Sequence, residues 1–124
     1  MEARLSGLRV MLVEDESLVA DLIVDVLETA GCAVVGPYAR LDAAARAAEG
    51  ESIDVALLDL DLAGHRSYPV AAALQARRVP FLFLTGYGHG ALAPDYAACQ
   101  TISKPFKPQQ LIERLARIVA EAES

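Results

Sequence analysis

The stretch Val55-Ala56-Leu57-Leu58-Asp59-Leu60-Asp61-Leu62-Ala63-Gly64 decides the fold. Residues 55–58 are apolar at consecutive positions, so neither face of an extended strand would be polar. A strand buried on both faces belongs at the centre of a parallel sheet. Such sheets collect ligands outside the carboxyl ends of their strands, and Asp59 stands at that end. Three other strand-like runs close in the same manner: residues 8–13 lead into Glu14 and Asp15, residues 81–84 into Thr85, and residues 99–103 into Lys104.

Between these runs the pattern changes to a helical period. Ser17 is a candidate N-cap for a helix in which Leu18, Leu22, Ile23, Val26, Leu27 and Ala30 recur at three- and four-residue steps, with Asp21, Asp25 and Glu28 on the wet face. Gly31 fits the position just past its end, residues 32–36 read as a second strand, and Pro37 forbids that strand's continuation. Residues 41–49 are alanine-rich and helical up to Gly50, residues 54–58 form the third strand, and residues 68–76 the third helix. Pro80 introduces a strand over 81–84. From Gly86 to Cys99 the chain carries Gly86, Gly88, Gly90 and Pro94. These cost a helix about 1 kcal/mol per glycine and about 3 for an interior proline, so the fourth helix is expected to be short or mobile. Pro108 opens a last helix with Leu111, Leu115, Ile118 and Ala122 on one face. Strand alternating with helix predicts an α/β, doubly wound five-stranded parallel sheet with helices on both faces, in one domain over residues 1–124.

Composition bounds the function classes. With 124 residues there is room for one domain and none for a separate effector. A formal net charge of −6, and 11 Lys and Arg that form no basic stripe, argue against a nucleic-acid surface. No apolar run approaches the roughly 20 residues of a membrane span, and residues 1–10 lack the features of a secretory signal, so a soluble cytoplasmic protein is expected. Cys32 and Cys99 show no metal-ligand or disulfide spacing and fit reduced, buried thiols.

If the first and third strands are neighbours, Glu14, Asp15 and Asp59 share a pocket. Carboxylates so placed repel one another, and a hard divalent cation between them resolves the conflict. Mg²⁺ takes one or two carboxylates together with water and phosphate oxygens, and the hydroxyl of Thr85 and the ammonium of Lys104 at the rim suit a phosphoryl group.

The ordered set VMLVEDE (residues 10–16), VALLDLDLAG (55–64), FLTG (83–86) and SKPF (103–106) resembles a two-component response-regulator receiver domain over nearly the whole chain. The resemblance implies the flavodoxin-like strand order 2-1-3-4-5. It implies that Asp59 is the phospho-acceptor, taking a phosphoryl group from a sensor histidine kinase or histidine phosphotransfer protein. Mg²⁺ would be held by Asp15, Asp59 and the backbone carbonyl of Asp61, with Glu14 at the first acidic position, where contact can run through water. Thr85 and Lys104 would hold phosphate oxygens, and the Lys104-Pro105 bond would be cis. Such a domain catalyses only its own phosphorylation and dephosphorylation.

A narrower resemblance lies in PFLFLTGYG (residues 80–88), which is similar to the PFxFATGY motif of the FAT GUY single-domain receivers, with Leu84 in place of Ala. In receivers the residue three before the lysine is usually a switching aromatic; here it is Thr101. Tyr87, or the loop from Gly86 to Asp95, is then expected to report phosphorylation. Output would be contact with an unknown downstream protein or competition for phosphoryl groups, and a weak homodimer through the apolar last helix stays open.

Each residue has a plainer role to set beside these. Asp59 alone would cap a turn, Thr85 alone would end a strand, Lys104 alone would be solvated, and the Asp61 side chain either points to solvent or adds a fourth acid. His65 and His89 read as solvated loop residues. The DxD of residues 59–61 also resembles the nucleophile motif of haloacid-dehalogenase-type phosphatases, but there the DxD strand comes early and the acidic pair follows the lysine. A degenerate receiver that binds a partner without phosphorylation is the remaining alternative.

Overall fold

The computed structural model describes residues 5–86, 90 and 92–123. Its strands are β1 (Arg9–Val13), β2 (Ala33–Tyr38), β3 (Val55–Asp59), β4 (Asp61–Leu62), β5 (His65–Arg66), β6 (Phe81–Thr85) and β7 (Thr101–Ser103). Five of them pair in parallel in the order β2-β1-β3-β6-β7, while β4 and β5 form a separate antiparallel hairpin. With the hairpin set aside this is the expected doubly wound order 2-1-3-4-5.

Helices α1 (Ser17–Thr29), α2 (Leu41–Gly50), α3 (Tyr68–Ala76) and α4 (Pro108–Glu123) cover both faces. Because successive side chains of a strand point to opposite faces, each buried strand feeds two cores. Val10, Leu12, Val55, Leu57, Leu82 and Leu84 pack toward α1 and α4. Met11, Val13, Ala56, Leu58, Phe81 and Phe83 pack toward α2 and α3. All five residues of β3 are buried, as its two-sided apolar run requires.

The C-terminal end of α1 follows the glycine rule. Gly31 sits at φ 90°, its N–H donates to the Glu28 carbonyl at 3.0 Å, and the Cys32 N–H donates to the Leu27 carbonyl at 3.0 Å. That double closure is the Schellman pattern.

Several local expectations are corrected. Pro37 does not end the second strand, because β2 is an edge strand whose outer side needs no ladder donor, and a register shift opposite Met11 and Val13 absorbs it. Glu16, not Ser17, is the N-cap of α1. The buried arc of α1 is Ala20, Ile23, Leu27 and Ala30, leaving Leu18 84% and Leu22 49% exposed. On α4 the last core position is Val119 rather than Ala122, which is exposed. Cys32 is buried, but Cys99 is only half-buried. Between β6 and β7 the described residues hold no α-helix, only a 3-10 turn at Pro94–Tyr96, in keeping with the glycine content. No helix among the described residues is long and apolar enough to cross a membrane.

Candidate functional site

The sheet order places β1 beside β3 with Val13 opposite Leu58, so Glu14 and Asp15 emerge next to Asp59. On the other side β6 pairs with Asp59 opposite Leu84, and β7 follows with Ser103 opposite Thr85. The Lys104 N–H donates to the Thr85 carbonyl at 2.7 Å, turning the lysine back over the strand ends. The Lys104-Pro105 bond is cis, as the resemblance implied. An open cleft of about 290 Å³ results, lined by Asp15, Asp59, Asp61, Gly86 and Lys104 among others.

Two of the acids are nearly sealed off, Glu14 at 1% and Asp59 at 5% exposure, and Thr85 is fully buried. The Lys104 ammonium bridges them, 2.8 Å from Glu14 Oε1 and 3.1 Å from Asp59 Oδ2, with Glu16 Oε1 farther out at 3.6 Å. Backbone amides orient the acids. Glu16 N–H donates to Glu14 Oε2 at 3.1 Å, Asp61 N–H to Asp59 Oδ1 at 3.2 Å, and Ala63 N–H to Asp15 Oδ2 at 2.9 Å. The Thr85 hydroxyl faces the Ile102 carbonyl at 3.5 Å.

Burial is the main force on Asp59 and raises its pKa to about 7; the neighbouring Glu14 carboxylate pushes the same way and Lys104 opposes both. For Lys104 burial works to lower the pKa, but Glu14 and Asp59 together outweigh it and raise it. An oxygen from each of Glu14, Asp15 and Asp59 lies within 4.8 Å of the others. A set of carboxylate oxygens at this spacing fits a hard divalent cation.

Glu14, Asp15, Asp59, Thr85 and Lys104 are thus brought together at one end of the sheet. Asp61 joins them through its backbone, while its exposed side chain turns to Arg66, with Arg66 Nε 3.5 Å from Oδ1. His65 is exposed on the hairpin. Tyr87 and His89 lie outside the described residues.

Thr101 is the register partner of Phe83, and the aromatic contacts nearby were not foreseen from the sequence. Tyr68 and Tyr96 stack with centroids 4.6 Å apart, and both meet Phe83 edge-on. Ala93 N–H donates to the Tyr68 hydroxyl oxygen at 2.9 Å, and the Tyr96 hydroxyl donates to the Tyr68 carbonyl at 3.3 Å. Tyr68 follows the loop after Asp59, and Tyr96 follows the segment after Thr85, so the stack ties together the two connections that leave the cleft. Tyr96→Ala loses the stack and one hydrogen bond, and is expected to lower stability by about 2 kcal/mol. Urea titration followed by far-ultraviolet circular dichroism checks this; an unchanged midpoint would show that the stack holds nothing.

Comparisons with known proteins agree with this geometry. The family model described as response regulator receiver domain matches residues 10–116. The transcriptional regulatory protein TcrA of Mycobacterium tuberculosis is 33% identical over 117 residues, covering 90% of this chain and 46% of TcrA. The chain therefore spans about half the length of that curated relative. The solution structure of SdrG from Sphingomonas melonis Fr1 is 34% identical with a TM-score of 0.76, covering 93% of this chain and 98% of SdrG. The receiver domain of the sensor histidine kinase PA1611 from Pseudomonas aeruginosa PAO1, solved with magnesium in its active-site cleft, is 30% identical with a TM-score of 0.78, covering 93% and 99%. The order of the strand-end residues, the sheet topology and the family match set aside the haloacid-dehalogenase alternative. With strand order, cleft and sequence all in agreement, the chain belongs to the response-regulator receiver domain family.

Proposed function

We propose that Asp59 accepts a phosphoryl group from a phosphohistidine donor in a Mg²⁺-dependent reaction. The observation that carries this is the convergence on one nearly buried carboxylate of a lysine ammonium at 3.1 Å and two further acids. In the transfer an Asp59 oxygen attacks phosphorus, the P–N bond to the donor imidazole breaks with its electron pair returning to nitrogen, and an acyl phosphate forms. Lys104, with its ammonium 3.1 Å from Asp59 Oδ2, would hold a phosphoryl oxygen, and Thr85, on the neighbouring strand end, would turn its hydroxyl from the Ile102 carbonyl to another. Asp15, Asp59 and the Asp61 carbonyl would hold the cation, with Glu14 within its reach. The bound Mg²⁺ would neutralise charge on the transferring phosphoryl group. The magnesium in the cleft of the PA1611 receiver supports this choice of ion.

The donor partner is a sensor histidine kinase or histidine phosphotransfer protein. Leu22, Val19 and Phe106 line an apolar hollow that reaches Lys104, and Leu18 stands exposed beside Leu22, an apolar rim suited to a helical donor surface. The cytoplasm is the compartment in which such donors and reduced thiols occur together. Output then runs through contact with a downstream protein or through competition for phosphoryl groups. Membership of the FAT GUY subgroup rests on PFLFLTGYG, on Thr101 standing where a switching aromatic is usual, and on the glycine-rich segment after Thr85, with Tyr87 or the loop from Gly86 to Asp95 as the reporter.

Incubation with a small phosphodonor, followed by intact mass, tests the acceptor. One phosphoryl group is expected in the presence of Mg²⁺, none when the cation is chelated, and none in Asp59→Asn. An Mg²⁺-dependent adduct that persists in Asp59→Asn would move the acceptor elsewhere, and no adduct in the wild-type protein would leave a receiver that binds without being phosphorylated.

A further inference from the structure

The hairpin that follows Asp59 is built in a way the acceptor chemistry alone does not require. Asp61 pairs with Arg66 and Leu62 with His65, leaving Ala63 and Gly64 as a two-residue turn. Both turn residues have positive φ, 52° and 88°, the geometry that lets so short a turn follow strand twist. Glycine adopts it freely, whereas alanine at positive φ is uncommon and persists where its surroundings hold it. What holds it is visible: the Ala63 N–H donates to Asp15 Oδ2 at 2.9 Å.

The base of the hairpin is fixed to the sheet. Leu60 N–H donates to the Leu84 carbonyl, Ser67 N–H donates to the Leu60 carbonyl, both at 2.9 Å, and Leu62 is 1% exposed in the core between β3 and α3. The turn meets Asp15 through Ala63, and across the two strands Arg66 Nε faces Asp61 Oδ1 at 3.5 Å.

We propose that the β4–β5 hairpin is a positioning device for Asp15. The turn presents a backbone N–H that fixes the Asp15 carboxylate, Gly64 makes that turn accessible, and Arg66 closes it through Asp61. Gly64 and Arg66 therefore help set the affinity of the cleft for a divalent cation. This rests on the cleft being the Mg²⁺-dependent acceptor site. A carboxylate at the open side of a cleft must be ordered when it binds an ion, and a donor that orders it beforehand removes that cost. Among the three acids it is Asp15 whose backbone donor comes from outside its own strand and the residues just after it, while Lys104 holds the other two, Glu14 and Asp59, so the orientation of Asp15 depends on the hairpin.

Two substitutions test this without touching a cation ligand. A Cβ at Gly64 meets open space within 4 Å, so Gly64→Val contests only the backbone at φ 88°. Arg66→Gln removes the guanidinium and its charge while keeping the stem as far as Cδ. Titration calorimetry with MgCl₂ on the metal-free protein is expected to give a dissociation constant about tenfold weaker in either variant, within the range seen for loss of a group that orients a metal ligand. Arg66→Lys should recover most of the affinity, and the melting temperature of the metal-free protein should hold in Arg66→Gln. If Gly64→Val fails to fold, Arg66→Gln carries the test.

Equal Mg²⁺ affinity in the wild type and Arg66→Gln would overturn the positioning role while leaving the acceptor site intact. No Mg²⁺ binding by the wild type would overturn the cation-dependent site itself, and with it this inference.

Discussion

Replacing Lys104 by methionine is expected to destabilise the metal-free protein by about 3–5 kcal/mol at mildly alkaline pH, and by much less in mild acid. Methionine keeps most of the apolar stem and removes the ammonium. What remains is a fully buried Glu14 side chain facing Asp59, whose side chain is 7% exposed. Two carboxylates that close in a dry setting cannot both stay ionised, so one takes up a proton, and the need for that proton makes the loss depend on pH. In the wild type Lys104 pulls the Asp59 pKa down against burial and Glu14. Without it the folded-state pKa moves further above the unfolded one. The folded protein then binds more protons than the unfolded chain over a wider span, so stability falls more steeply as pH rises. Chemical denaturation at about pH 5 and about pH 8 reads the difference. An equal loss at both values would mean that methionine disturbs packing rather than charge, and no loss would mean that the Lys104 bridge is not a stabilising contact. Lys104→Arg should retain most of the stability, and saturating Mg²⁺ should restore part of it in the methionine variant by binding the folded state alone.

The contrast between Lys104 and its surroundings shows what a sequence can and cannot carry. The centre of the sheet was legible because residues 55–58 leave no polar face, and the alternation of strands and helices made the sheet parallel and doubly wound, while its strand order came from the resemblance of the strand-end motifs to receiver domains. The cluster at the strand ends was legible because Glu14, Asp15, Asp59, Thr85 and Lys104 each stand at or just past the carboxyl end of a strand, so a parallel sheet brings them to one edge.

Features that depend on which neighbour a residue meets were not legible. Pro37 is tolerated because β2 happens to lie at an edge. On α1 two apolar arcs compete, and the helical period cannot say that Ala20 and Ile23 face the sheet while Leu18 and Leu22 face solvent. The hairpin was hidden because alanine is a poor signal for positive φ, and the contact that supports Ala63 there is with Asp15, distant in the chain. The stack of Tyr68 on Tyr96 likewise joins the first residue of α3 to the distant 3-10 turn at Pro94–Tyr96, and no local pattern announces it.

Asp59→Asn is expected to have the opposite sign to Lys104→Met, stabilising the metal-free protein by on the order of 1–3 kcal/mol at mildly alkaline pH. Burial holds the wild-type Asp59 pKa at about 7, well above its ordinary value of 3.8. Below about pH 4 the group is protonated in both the folded and the unfolded chain and contributes nothing to pH dependence. Between about pH 4 and 7 the unfolded chain releases its proton while the folded one keeps it, so stability falls as pH rises, and above about 7 the full penalty remains. Asparagine carries no such charge. Its carbonyl can still accept from the Asp61 N–H, its amide can donate toward Glu14, and Lys104 keeps Glu14 as a partner. The gain should therefore hold above about pH 7, shrink from there to about pH 4 and vanish at the acid end. Thermal melting of both proteins across that range in the presence of chelator measures it; a constant difference would assign the effect to packing. Mg²⁺ should reverse the ranking, because the cation has use for the carboxylate whose burial alone is unfavourable. A carboxylate buried at a cost in stability is what this cleft holds, and the two variants together separate the cost at Asp59 from the compensation at Lys104.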